Sequence, residues 1–412
     1  MSIDPLSSNP EAGAKPAGPL AGLRVIEMGS LIAGPFCGQI LADFGAEVIK
    51  LEDPGKGDPM RQWGRSLPKG HSPWWPVIGR NKKSVTLDLR QAEGQNLARR
   101  LILASDIVVE NFRPGALEKW GLDFATLRAS HPGLIMARVS GFGQTGPYSP
   151  RAGYALIGEA MGGLRHITGE PDRPPARAGI SIGDSLSGLQ AVLGILLALH
   201  HRNQTGQGQV VDVAIYESVL SVMENLVTEY DLTGYQRQRS GAILPGIAPS
   251  NAYPTADGDL VVIGANQDTL FERLCDAMQR PDLANDPRYQ GHAARGRHQA
   301  ELDGIISAWT ATLPTQILLQ LMQDKGVASG LVYKAADMLA DPHFAARNAI
   351  VETPHPVFGT VKMQNAFPIL TETPGGVRWP GPELGAHTED VLQAVLALEP
   401  SELARLRGRG VV

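Results

Sequence analysis

Gly183-Asp184-Ser185-Leu186-Ser187-Gly188 places a single carboxylate among glycines and small hydroxyl residues. It stands immediately ahead of an apolar run that reads as a helix from Leu186 to about His200. Small neighbours let a ligand approach the backbone, and a carboxylate held there is able to attack an activated acyl group. The same residue type is a preferred helix N-cap, because its oxygens accept bonds from the open N–H groups of a first turn. The two roles are compatible, since the positive end of a helix favours the ionised acid. The hexapeptide alone leaves both open.

The surrounding pattern is one of strands alternating with helices. Leu23–Glu27 reads as a short buried strand. Gly29, Gly34 and Pro35 follow, then a helical pattern through Phe36, Ile40, Leu41 and Phe44, and a second strand at Ala46–Leu51. Such βαβ units build parallel sheets with right-handed crossovers. Further strands are expected at Asp106–Glu110, Leu134–Val139 and Gln209–Val213. Helical stretches are expected at Ala116–Trp120, Phe124–Ser130 and about Tyr216–Leu226. Gly- and Pro-rich Ser240–Pro249 reads as a linker. Beyond it, Asn251–Thr255 and Leu260–Gly264 flank the turn 256–259 as a hairpin. Helices at Leu270–Met278, His298–Thr312 and Pro314–Asp324 complete a smaller α+β domain. Residues 359–363 are strand-like, and a last helix begins near Thr388. The expected organisation is a tail (1–19), a large α/β domain (20–235), a small domain (247–345) and a return to the large domain (346–412).

Several chemistries lack their signatures. The glycines at 29 and 34 have no GxGxxG spacing, and Leu51–Asp58 is not a P-loop, so neither a nucleotide redox cofactor nor ATP is expected. The histidines show no HExxH spacing, and Cys37 and Cys275 are the only cysteines; no metal is expected. Ser140 lacks a GxSxG elbow. A net charge of -5 gives no reason to expect nucleic acid. The most apolar run, Ala191–Leu199, is shorter than a membrane span, and two cysteines suit a reducing, cytoplasmic setting. Arg80-Asn81-Lys82-Lys83, Arg90, and Arg113 with Lys119 form cationic clusters beside strands. They either hold a multi-phosphate ligand or lie as isolated charges on solvated surface. Trp63, Trp74 and Trp75, close to Arg61 and Arg65, either lid a site or fill core.

These segments together resemble the class III CoA transferases, a family that includes formyl-CoA transferase, carnitine CoA-transferase and α-methylacyl-CoA racemase. The resemblance rests on Leu23–Ile26 with Ala33-Gly34-Pro35, Phe44–Glu52, Gly57-Asp58, Asn81–Leu89, Glu110–Gly115 and Gly141–Tyr148. It continues through Gly162-Gly163 to Thr168-Gly169, then Gly183-Asp184 and Leu384–Thr388, and spans about Leu20 to the C-terminus. It implies a doubly wound, Rossmann-like α/β large domain, a smaller α+β domain and an interlocked homodimer. It implies coenzyme A, as acyl-CoA co-substrate, bound by Ile32, Ala33, Asp53, Leu87, Asp88, Leu89, Arg90, Asn111, Phe112, Arg113, Lys119, Gly153, Tyr154 and Ala155. Asp184 matches the family's catalytic aspartate. The loop with Gly241 and Gly246 matches a mobile cover, although it reads Gly-Ala-Ile-Leu-Pro-Gly here rather than a glycine run.

The racemase branch uses a histidine and an acid where this chain has Tyr154 and Ala155. A tyrosine with a pKa near 10 is a poor two-way proton shuttle at neutral pH, so transfer is favoured over racemisation. Ile32 and Ala155 also replace the glutamine and the acid of formyl-CoA transferase-like enzymes, which argues against formyl or oxalate specificity. Gly163–Gly169, with Arg165 and His166, resembles the branch that uses succinyl-CoA with malate- or citramalate-like acids. Arg165, His166 and Arg177 are therefore candidates for binding a substrate carboxylate. The expected partners are an acyl-CoA and a small organic acid. A racemase or a non-catalytic CoA-binding protein are the alternatives.

Overall fold

The structure is a computed structural model that describes residues 18–412. The expected tail thus falls almost wholly outside the described residues. Two compact units emerge. The larger comprises 18–164, 179–224 and 346–412, and the smaller comprises 165–178 and 225–345.

The larger unit is built on a six-stranded sheet of β1 (Arg24–Glu27), β2 (Glu47–Glu52), β3 (Lys82–Thr86), β4 (Ile107–Glu110), β5 (Ile135–Ser140) and β6 (Val210–Ala214), in the order β3-β2-β1-β4-β5-β6. Every pairing is parallel. Successive side chains of a strand point to opposite faces, and each face has its own core. Val25, Val48, Ile107 and Ile135 pack with α1 (Ala33–Asp43) and the long helix Ile182–Thr205. Ile26, Ile49, Val108 and Met136 pack with Ala92–Leu103 and the C-terminal helices Thr388–Leu396 and Pro400–Gly408. This is the doubly wound arrangement, whose ligand crevice lies at the carboxyl ends of β1 and β4, where strand order reverses.

The helix expected over 216–226 is two helices, Ile215–Leu220 and Leu226–Thr233. Strands β3, β9 (Ala328–Leu331) and β10 (Ile350–His355) do not figure among the sequence expectations. Lysines open β3, and β9 and β10 carry Gly, Ser, Pro and His that dilute the strand pattern. In the smaller unit β7 (Ser250–Pro254) and β8 (Leu260–Gly264) form the expected hairpin, with β9 antiparallel on β8. Helices Asp268–Ala277, Gln299–Thr310 and Thr315–Asp324 close its core around Tyr253, Leu274, Leu302 and Leu318. In the larger unit β11 (Gly359–Gln364) pairs with β10.

Arg80 and Lys82 are neither surface charges nor open phosphate ligands. Arg80 is buried against Asp43, with Nη2 2.6 Å from Oδ2. Lys83 pairs with Glu47. Lys82 and Lys50 share the buried carboxylate of Glu27, at 2.7 and 2.8 Å. Lys50 also reaches Asp58 at 2.8 Å and donates to the carbonyl oxygen of Gly29. Burial works against the Lys50 ammonium, but Glu27, Asp58 and Glu52 overcome it and hold its pKa above the usual lysine range. Burial pulls Lys82 below its ordinary value even beside Glu27. Removing one partner of such a cluster leaves an uncompensated buried charge. Lys82→Met should therefore lower the unfolding free energy by about 3–5 kcal/mol, read by urea denaturation. A loss below 1 kcal/mol would contradict the ion cluster as described.

Candidate active site

The segment after β1 turns sharply. Ser30 is held by the Asn111 amide, whose Oδ1 accepts the Ser30 N–H at 2.8 Å and whose Nδ2 donates to the Ser30 carbonyl at 2.9 Å. Leu31 follows in the left-handed region (φ 66°), a strained setting for a branched side chain. Its N–H donates to Asp58 Oδ1 at 3.2 Å, and that carboxylate also receives Lys50. The ion cluster thus shapes the loop. First-turn N–H groups have no intrahelical acceptor, and in α1 Ile32 supplies no side-chain cap in its place.

Asp184 is not an N-cap. The helix starts at Ile182, four residues before the expected Leu186, with Ser181 at the N-cap position; Asp184 therefore stands third in the first turn. There the helix dipole still favours its ionised form. The Ser185 hydroxyl donates to the Ser181 carbonyl and the Ser187 hydroxyl to the Gly183 carbonyl. Both serines are engaged with their own backbone. Glu159, buried in the helix Ala155–Met161, accepts the Gly183 N–H at 3.4 Å. Gly188 lets this helix meet α1, since a Cβ there would lie 3.0 Å from the Ala33 carbonyl oxygen. The first turns of the two helices thereby contribute Ala33 and Asp184 to one place.

That place is a cavity of about 270 Å³ walled by the segments after β1 (Ser30–Ala33), β4 (Asn111–Pro114) and β5 (Val139–Gly141, Arg151–Tyr154), with Asp184 and Ile215. A second cavity of about 230 Å³ shares Ser30 and Phe112 with it and extends along the ends of β2 and β3 past Asp53, Leu87, Asp88, Leu89 and Arg90. Phe112, between the two, is held edge-on by Trp120 with ring centroids 5.2 Å apart. At the lip of the second cavity the exposed Arg90 guanidinium donates to Asp88 at 2.7 Å and pairs with Asp53 at 3.1 Å. The Arg90 bond holds the Asp88 carboxyl down to about 2.

Most of the residues anticipated for CoA therefore wall two neighbouring cavities: Ile32, Ala33, Asn111, Phe112, Arg113, Gly153 and Tyr154 with Asp184 in one, and Asp53 and Leu87–Arg90 in the other. Lys119, exposed on the short helix Ala116–Lys119, and Ala155 are in neither wall. Arg165, His166, Arg177, Gly241 and Gly246 belong to the smaller unit. There the Gly241 N–H donates to the Gly169 carbonyl at 2.9 Å, and the Gly246 N–H donates to Gln299 at 3.2 Å, so both ends of the 241–246 loop are tied. Of the tryptophans, Trp75 is core with Arg61 stacked 3.7 Å from its centroid, while Trp63 and Trp74 remain over two-fifths exposed. Ser30, Leu31, Ser140, Arg151 and Ile215 are wall residues that did not figure among the sequence candidates. For the Glu27–Lys50–Lys82 cluster the available signal was a charge of either sign on three strand segments that also carry apolar residues.

Residues 20–388 match the sequence model of CoA-transferase family III. The chain is 58% identical to a succinyl-CoA--D-citramalate CoA-transferase of Chloroflexus aurantiacus, over 97% of this chain and 99% of that protein. It is 41% identical to the succinyl-CoA--L-malate CoA-transferase alpha subunit of the same organism, over 99% of this chain and 96% of that protein. The crystal structure of a CAIB/BAIF family protein from Brucella suis superimposes with a TM-score of 0.84 at 35% identity, covering 92% of this chain and all of that one. The chain belongs to CoA-transferase family III, and it is a CoA-transferase.

Asn111 is the clamp that joins β4 to the loop after β1. Asn111→Ala should cost about 1–3 kcal/mol of stability, because the Ser30 backbone groups lose their partner. It should also weaken CoA in isothermal titration; unchanged CoA affinity would remove the loop from the binding site.

Proposed function

We propose that the protein moves CoA from succinyl-CoA to a small dicarboxylate through acylation of Asp184. The carrying observation is that Asp184 shares one cavity with residues the family resemblance assigns to CoA. An Asp184 oxygen attacks the thioester carbonyl, the C–S bond breaks, and CoA thiolate leaves an aspartyl mixed anhydride. The thiolate then attacks the aspartyl carbonyl and expels the donor acid, leaving an aspartyl-CoA thioester. The acceptor carboxylate attacks that thioester and releases thiolate, which takes the acceptor acyl group and restores Asp184. Each step is a covalent exchange of lower barrier than direct transfer between two acids.

Ala33, at the start of α1, lines the same cavity as this carboxylate, and its N–H suits a developing oxyanion. Asp53 directly follows β2, the position at which an acid meets a ribose hydroxyl in doubly wound nucleotide sites, and it lines the cavity next to the one that holds Asp184. The choice of succinyl-CoA and a citramalate- or malate-like acid rests on the two named relatives. Asp184→Asn should reduce exchange between succinyl-CoA and D-citramalate by about 10³-fold or more. It should also abolish the mass increment of an Asp184 adduct. Undiminished exchange would overturn the mechanism.

We further propose that two copies pair through the apolar side of the helix Ile182–Thr205. Leu189, Leu193, Leu196 and Leu197 are two-fifths or more exposed there, beside Leu220 and Val222. A patch of this kind on a water-exposed face marks an interface. Leu193→Glu with Leu197→Glu should shift the mass by light scattering from dimer to monomer; an unaltered dimer would place the interface elsewhere.

A further inference from the structure

Arg151 lines the Asp184 cavity and has no carboxylate partner among the described residues. Most basic groups near the carboxyl ends of the strands are already committed. Lys50 and Lys82 are consumed by Glu27, Arg138 by Glu110 and Glu118, and Arg90 by Asp88. Arg151 instead lies over the Tyr148 ring, with its guanidinium carbon 3.6 Å from the centroid. Tyr148 is braced edge-on by Phe142 at 5.9 Å. The Arg151 backbone N–H donates to the Tyr148 carbonyl at 2.9 Å. Stacking fixes the plane of a guanidinium and leaves its in-plane donors free for a planar, bidentate acceptor, which is the geometry of a carboxylate. The base of this loop is pinned, because Gly141 and Gly153 pass so close that a Cβ on either would lie 2.7 Å from the Cα of the other.

Position along the sheet indicates which part of a substrate meets Arg151. The second cavity draws its walls from the segments after β3, β2, β1 and β4, whereas Arg151 comes from the segment after β5. A CoA thioester that runs along the strand ends toward Asp184 carries its acyl chain past that carboxylate, onto the β5 side. We propose that Arg151 is the specificity-determining cation of the site, receiving the distal carboxylate of a short diacid whose other end reacts at Asp184. The inference rests on the proposed role of Asp184 for the direction of the acyl chain, but its test needs no turnover.

The test is binding of free succinate and, separately, of free CoA to wild type, Arg151→Met and Arg151→Lys by calorimetry. Loss of a charged hydrogen-bonded pair should weaken succinate by about 10- to 100-fold in Arg151→Met, with the lysine variant intermediate and CoA within about twofold of wild type. Tyr148→Leu keeps the charge and removes the stack. It should weaken succinate by a smaller factor, and it preserves the test if Arg151→Met fails to fold. Unchanged succinate affinity overturns the inference. So does an equal loss of CoA, which would make Arg151 a phosphate ligand, or a loss found in Arg165→Ala rather than in Arg151→Met. Should Asp184→Asn retain exchange while Arg151→Met loses succinate, the acylation mechanism fails and the carboxylate site stands.

Discussion

Beneath the loop after β1, Glu27, Lys50, Lys82 and Asp58 form a nearly water-free cluster, each side chain 1% exposed or less. Buried ions are costly unless each is answered, and here the answers are spread over three neighbouring strands and the loop that holds Asp58. Glu27 and Lys50 face each other in the β1–β2 register, and Lys82 comes from β3. The cluster therefore fixes more than itself. Lys50 holds the Gly29 carbonyl and Asp58 holds the Leu31 N–H, so the backbone that walls both cavities hangs from the same charges. Removing one of them disturbs the site and the sheet together.

The second constraint is close approach. α1 and the helix bearing Asp184 cross where Gly188 leaves room for the Ala33 carbonyl. The first turns of both helices consequently contribute to one cavity, where the open end of a helix favours an anion. The fold supplies part of the electrostatics of the site before any side chain of the wall is counted, and Arg113 and Arg151 add formal positive charge.

The legible parts of this architecture are those written as uninterrupted apolar runs. β1, β4 and β5, the helix after β1, and the 251–264 hairpin follow directly from periodicity. β3 is obscured because its lysines, which look like solvated charges, neutralise Glu27 and Glu47. The start of the Asp184 helix is obscured for a related reason: Gly183 and the two serines weaken the helical signal. Their hydroxyls bond back to the Ser181 and Gly183 carbonyls, so the segment is helical after all. Many candidate CoA residues rested on motif resemblance, and the structure gathers most of them around two cavities because they all follow strand ends. Arg151 was passed over because nothing in a linear chain shows that it lies flat on Tyr148.

Residues 388–411 are woven into the unit that holds β1 to β6. The Thr86 N–H donates to the Thr388 hydroxyl, the Asp88 N–H donates to the Val411 carbonyl, and Val391, Leu392, Leu403, Leu406 and Val411 fill the core over one sheet face. During synthesis that face stays open until residues 388–411 have been made. Nearly all of the smaller unit has by then left the ribosome, so it is free to mature first. A chain lacking the helices Thr388–Leu396 and Pro400–Gly408 would carry an uncovered apolar sheet face, a natural substrate for chaperones and proteases.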